Sequence, residues 1–272
     1  MKKLLITLLF ANMFCLAQTE NIMLPNTKNE FKLNIDSSTP IVNIHIDLEE
    51  NIYIEGIKVE LDEILCFLQK HKSNLDVLKH SRIKYFLLAD SRLNYSVIDK
   101  LKTVLSKAEV KGIIYRVNDM NDSTLGLGLK NHSHIINTKN SIIEEQEFLF
   151  DEVVIKKHPI AILEENLYSL RINKVRELLK KYRYKSVEFI GDLKVKINDE
   201  EFKIDDDELI YSKIKDLDFF YIHSSENLTF NDYFLNISSI IKIFRNYTFG
   251  GIPIIEVSND LKKELYKKEF KI

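Results

Sequence analysis

Apolar and polar positions alternate through "IVNIHID" (Ile41 to Asp47), the pattern of a strand with one covered face. "NIYIEG" followed by "IKVEL" predicts a hairpin turning at Glu55-Gly56. "LDEILCFLQKHK" has apolar positions at helical spacing (Leu61, Ile64, Leu65, Leu68), acids in its first turn and bases in its last. "YFLLA" is a continuous apolar strand. In "NYSVIDKLKTVLSKA" the residues Val97, Ile98, Leu101, Val104, Leu105 and Ala108 share a helix face, and Asn94 stands where an N-cap belongs. "GIIYRV" closes the unit as a last strand. Two helices on one face of a small mixed sheet would cover these apolar stripes.

The same order of patterns returns further along. "VEFIGDLKVKINDEEFKIDDDEL" (Val187 to Leu209) follows the first hairpin region, with Val195 and Ile197 in the places of Ile52 and Ile54. "FFYIHSSENLTFNDYFLNISSIIKIF" then follows the second strand and helix, so that Leu228 and Phe230 take the places of Leu93 and Tyr95. Its helix presents Tyr233, Ile237, Ile240, Ile241 and Phe244 at helical spacing, and "GIPIIEVSND" echoes "GIIYRVND". The expected fold class is α+β: two tandem domains, 38–120 and 184–272, each a small mixed sheet with two helices on one face. Residues 18–37 form an N-terminal segment. Residues 121–183 read as a connection: a polar, glycine-containing linker, a strand-like "FLFDEVVIKK" and one helical stretch, "LYSLRINKVRELLKKY".

The first unit resembles the periplasmic domain of the ExbD/TolR family of biopolymer-transport proteins. The residues that carry the likeness are the opening I-x-I-D…N-I-Y-I-E-G-x-x-V-x-L-D-E-I and "LLADSRLNYSVIDKLKTVLSKAEVKGIIYRV". In that family a strand ending in Ala-Asp leads through a short loop to a Tyr and a helix ending in a small residue. The matching positions are Ala89, Asp90, Tyr95 and Ala108. The resemblance covers roughly 80 residues well and, through the second unit, another 80 weakly. It implies that Asp90 and Tyr95 belong to a binding surface. Family members work beside a proton-channel partner, pair in the periplasm, and engage a TonB- or TolA-type energy transducer. They do so from a single membrane helix that carries a proton-accepting carboxylate.

Composition and charge narrow this picture. The chain has 272 residues, 45% hydrophobic and 29% charged, with a formal net charge of −2, so nothing in the overall charge draws it to nucleic acid or membrane. The opening "MKKLLITLLFANMFCLAQTE" reads as a secretory signal, residues 1–17, with a basic start, an apolar run and a small-x-small end before Gln18. Those 17 residues contain no Asp or Glu, a departure from the family's pattern, so no proton coupling of the chain's own is expected. After cleavage Cys66 would be the one cysteine, outside the apolar stripe of its helix, and no internal disulfide can form. Lys70 to Arg116 holds about eleven bases against four acids, and Glu188 to Asp232 about thirteen acids against five bases. That asymmetry suits two units that dock on each other or on partners of opposite sign.

No phosphate-binding glycine loop, nucleophile elbow or HExxH motif is present. His132 and His134 lie in the polar linker without spaced partners, and His45 and His223 fall in expected strands as structural residues. The sequence therefore predicts no catalytic residues, no metal and no cofactor, and a protein that is not an enzyme. The expected function is that of an exported, periplasmic accessory of a TonB/Tol-like system, membrane-associated at most. It would bind a TonB/TolA-like transducer, another envelope protein or a peptide, and no nucleic acid, as a monomer with no transmembrane span whose two units pair. The alternative is an exported small-ligand or substrate-binding module on the same scaffold.

Overall fold

The computed structural model describes residues 22–27, 32–33, 35–80, 82–110, 112–118, 125–131, 159–247 and 254–271. The 1–17 segment, His132, His134 and the "FLFDEVVIKK" strand lie outside the described residues.

Two mixed sheets organise the chain. The first is built from β1 (Ile41–Ile46), β2 (Ile52–Ile54), β3 (Ile57–Val59), β4 (Lys84–Ala89), β5 (Gly112–Arg116) and β6 (Gly126–Lys130), in the order β3-β2-β1-β4-β5-β6. Strands β1, β4 and β5 run parallel, and β2, β3 and β6 are added antiparallel. Helices α1 (Ile64–Ser73), α2 (Val77–His80) and α3 (Tyr95–Lys107) supply the crossovers. The second sheet is built from β7 (Tyr184–Ile190), β8 (Lys194–Ile197), β9 (Glu200–Lys203), β10 (Phe219–Ser224) and β11 (Ile254–Glu256), in the order β11-β10-β7-β8-β9. Its crossovers are α6 (Asp207–Ile214) and α7 (Phe230–Tyr247), numbered after α4 (Pro159–Tyr168) and α5 (Ile172–Leu179); α8 (Asn259–Lys267) closes the described chain. Strand for strand, β3-β2-β1-β4-β5 and β9-β8-β7-β10-β11 are the same arrangement.

The local reasons are visible in the backbone. Glu55 (φ 52°) and Gly56 (φ 77°) both occupy the left-handed region between Ile54 and its partner Ile57, a two-residue turn whose twist matches the strands it joins. Asn198 (φ 48°) and Asp199 (φ 70°) repeat that turn between β8 and β9. Asn94 caps α3 by accepting a hydrogen bond from the Ser96 amide at 2.8 Å. Helix α1 starts at Ile64, so Asp62 and Glu63 precede it, while Lys70, His71 and Lys72 do occupy its last turn.

Two expectations for the connecting region are corrected. Within the stretch read as linker, Gly126–Lys130 forms β6, its pairing to β5 fixed by Leu127 opposite Tyr115 and Leu129 opposite Ile113. Its glycines look like loop residues, but a Cβ at Gly126 would sit 3.0 Å from side-chain atoms of Ile114 and Leu33, so glycine lets the N-terminal segment close over the sheet. The stretch read as one helix is two. Leu170 (φ 54°) ends α4, with Arg171 N donating to Asn166 O and Leu170 N to Leu167 O, the paired bonds of a Schellman stop.

One apolar core runs through both sheets. It takes Val42, Ile44 and Leu87 from the first, Val187, Phe189 and Ile222 from the second, and the inward stripes of α1, α3, α6 and α7. The outer face of the second sheet is covered by α4, α5 and α8 through Leu163, Leu167, Val175, Leu179, Leu261 and Leu265. The outer face of the first sheet is covered by Ile22 and Leu24, packed with Phe86 and Leu88.

Candidate functional site

The seam between the two sheets holds a cluster of buried polar groups that includes Asp99, Lys102 and Glu256. At its centre the chain pairs with itself. Tyr95 N donates to Leu228 O and Phe230 N donates to Leu93 O, each at 2.7 Å, around an antiparallel bridge between Asn94 and Thr229. Leu93 and Tyr95 lie at the entry from β4 into α3, and Leu228 and Phe230 at the entry from β10 into α7, so the contact is reciprocal, as in a two-fold interface. Asn94 Nδ2 also donates to Glu226 O (3.1 Å), and Asn231 N donates to Ser91 O (2.9 Å). Beside this bridge the rings of Tyr95 and Tyr233 stack at 3.8 Å between centroids, and Tyr115 packs against Phe230 and Phe234.

Helix α3 brings a polar row to the same place. Tyr95, Asp99 and Lys102 are spaced i, i+4, i+7 and lie on one face. Lys102 is 1% exposed and its ammonium bonds the carboxylate of Glu256 on β11. The same oxygen of Glu256 accepts from the hydroxyls of Tyr95 (2.6 Å) and Tyr233 (2.9 Å), and Tyr168 donates to the Glu256 backbone carbonyl. Burial opposes charge on Lys102, but Glu256 overcomes this and holds the ammonium well above its usual range. Burial likewise works against the Glu256 carboxylate, but Lys102 and the two tyrosine hydroxyls hold it below its usual range. Both partners are therefore ionised. Asp99 accepts from Asn259 N at 2.9 Å, yet burial pushes its carboxyl up to about 6. The cluster can hold charge and orient protons, and with Lys102 sealed its partners are groups of the chain itself.

Tyr95, expected at a binding surface, is thus 3% exposed and bonded across the seam. Asp90 is also interior. Its carboxylate accepts from Met23 N (3.1 Å), Arg92 N (3.0 Å) and the Arg92 guanidinium (2.7 and 2.8 Å). Burial would raise its pKa, but Arg92 and the two amides outweigh it and hold the carboxyl below the usual range. Asp90 shapes the turn after β4 and pins the N-terminal segment there, while Tyr95 sits one helix start away. The sequence reading passed over Lys102 and Glu256. The signal for Lys102 was a charge next to the apolar stripe of α3; nothing local marked Glu256 inside "IIEV".

His223 is buried between Ser186 Oγ (2.9 Å) and Lys262 Nζ (3.0 Å), and burial together with Lys262 lowers it to about 4. His45 is lowered by burial. Cys66 is exposed. Among the described residues no cluster of His, Cys, Asp and Glu could hold a metal ion, and no helix is long and apolar enough to cross a membrane.

An edge strand and a hollow among the described residues are open to a partner. Strand β3 is one edge of the first sheet and carries Ile57 at 57% exposure, whereas the corresponding edge β9 is guarded by Glu200, Glu201 and Lys203. A hollow of about 950 Å³ lies not at the seam but at the far end of the first sheet, lined by Lys72, His80, Tyr85, Ile113 and Asn131 among others. Neither a known family, nor a curated protein, nor a solved structure matches the chain.

Proposed function

We propose that this protein is an exported, periplasmic adaptor of an ExbD-type, TonB/Tol-like envelope system, and that it works by binding a protein or peptide. The observation that carries the reading is the seam. Two units with one order of strands and helices meet through a reciprocal pair of backbone bonds at equivalent positions, Leu93/Tyr95 and Leu228/Phe230. In the family that the first unit resembles, two chains pair to present such a surface; here tandem ExbD-like units would present it from one chain. The adaptor would carry no proton itself and would couple to an energised partner by contact. Its accessible mode is strand addition at β3, where main-chain groups supply affinity and Ile57 supplies an apolar anchor.

Capture of envelope proteins on the tagged chain, compared with an Ile57→Lys variant, tests this. A transducer-like or channel-associated partner retained by the wild type and lost by the variant supports it. Capture that ignores the variant removes β3 as the site, and restoration of proton-driven uptake by this chain alone in a strain lacking its ExbD would overturn the adaptor reading. The hollow at the end of the first sheet gives the alternative, a small-ligand module, its only place among the features described above. A ligand that protects Tyr85 and Ile113 amides from hydrogen exchange, without any captured protein, would favour it.

A further inference from the structure

The outer layer of the second sheet is strongly basic. Residues 171–183 and 262–271 hold eleven Lys and Arg against three Glu, in a chain whose overall charge is −2. Helices α5 and α8 bury Ile172, Val175, Leu179, Leu261 and Leu265 in one cluster beneath them, so their opposite faces look away from the sheet together. Arg176 Nη2 donates to Glu269 O at 3.3 Å and ties the two helix ends side by side. The outward positions include Lys174, Lys180, Lys181, Lys263, Lys267 and Lys268, all exposed. Among the described residues, Lys267 of these six forms an ion pair, with Glu264 three residues away on its own helix. Tyr266 lies 47% exposed beside Lys263 and Lys267, and a recess of about 510 Å³ opens between Arg171, Lys174, Arg176 and Lys268.

We infer that this two-helix face docks on an anionic lipid surface. The cations spread over a helical layer instead of lining a channel that would track a nucleic-acid backbone. An exposed tyrosine set among lysines is the chemistry of the bilayer interface, where the ring sits at headgroup depth and the ammonium groups meet phosphate. The apolar stripes of both helices are committed to the protein core, so contact is electrostatic and reversible, without insertion. That the lipid is an envelope lipid rests on the exported reading above; the charge argument does not.

Co-sedimentation of the full chain with phosphatidylcholine vesicles, with and without phosphatidylglycerol, tests the inference. The wild type should bind the anionic vesicles and be released by salt. The variant K174Q/K181Q/K263Q/K267Q should lose on the order of tenfold or more of that affinity, since each lysine near such a surface contributes separately. Binding to pure phosphatidylcholine, which reports contact that needs no anionic charge, should be the same for both proteins. These side chains are exposed, so the melting transition should be unchanged; K180Q/K268Q, expected to act in the same direction, stands in if it is not. Equal binding of variant and wild type to anionic vesicles would overturn the inference. So would a DNA duplex or an acidic polypeptide that strips the protein from vesicles at equal charge concentration. A chain found in the cytoplasm that still binds anionic vesicles would sink the exported reading and leave this surface standing.

Discussion

At the scale of single residues, stability is set by a few side chains held where their type is unfavourable. Glu109 (φ 63°) and Glu269 (φ 56°) end α3 and α8 in the left-handed region, each with the paired bonds of a Schellman stop, at a position that suits glycine. The strain there is roughly 1–2 kcal/mol, partly offset by the entropy that glycine loses on folding. Glu109→Gly and Glu269→Gly are each expected to raise the free energy of unfolding by about 0.5–1 kcal/mol in urea titrations; a loss would mean that the glutamate side chains make contacts worth more than the strain. Asp99 and His223 act through pH. Asp99 is raised from 3.8 to about 6 by burial, so the folded chain holds its proton more tightly and stability falls as pH rises through that window. Asp99→Asn should therefore be more stable than wild type near pH 7.5, by up to about 3 kcal/mol, with the advantage gone near pH 4. His223 runs the other way: lowered from 6.5 to about 4, it contributes stability above pH 6.5 that is lost on acidification. In His223→Gln the difference from wild type should shrink as pH falls. Denaturation curves from pH 4 to pH 8 on both variants check the two signs.

At the scale of elements, one ion pair fastens α3 to β11. A buried pair is weak evidence of net stabilisation, but removing one partner strands a charge in the interior. Glu256→Gln leaves Lys102 without its carboxylate partner at 1% exposure, where burial opposes its charge, and should cost about 3–5 kcal/mol. Lys102→Met with Glu256→Gln should recover much of that loss, because the tyrosine hydroxyls can still meet the amide oxygen. A double-mutant cycle by calorimetry measures the coupling; additive losses would show that the pair is not a unit.

At the scale of the molecule, a single core joins both sheets, so neither can unfold and leave the other's apolar face covered. Unfolding is expected as one transition, seen together by near-ultraviolet circular dichroism and by a probe at Cys66. The chain should be monomeric at micromolar concentration in light scattering, since its reciprocal seam is already satisfied within one molecule. The sequence suggested salt-sensitive attraction between a basic and an acidic unit, but the seam is built from rings, backbone bonds and a sealed ion pair. Small-angle scattering should accordingly give the same dimensions in low and high salt. Expansion in high salt, or two separate transitions, would contradict the shared core.

Short-range pattern was enough for much of this protein, because strand alternation, helix stripes and turn residues are local consequences of burying one face. The Glu55-Gly56 turn, the Asn94 cap and the apolar faces of α1 and α3 could all be read along the chain, as could the strands and helices that follow Tyr184. Where local chemistry pointed two ways, only packing decided: glycines that look like a linker became β6 because Leu33 and Ile114 need the room a side chain would fill. The candidate site lay beyond reach for a different reason. Tyr95 and Lys102 are 154 and more residues from Glu256, and a buried charge is intelligible only once its counter-charge is beside it. The sequence by itself determined most of the strands and helices, whose patterns are local; the tertiary structure decided that the two sheets turn Tyr95 inward between them, because satisfying that seam buries polar and apolar surface that would otherwise face solvent.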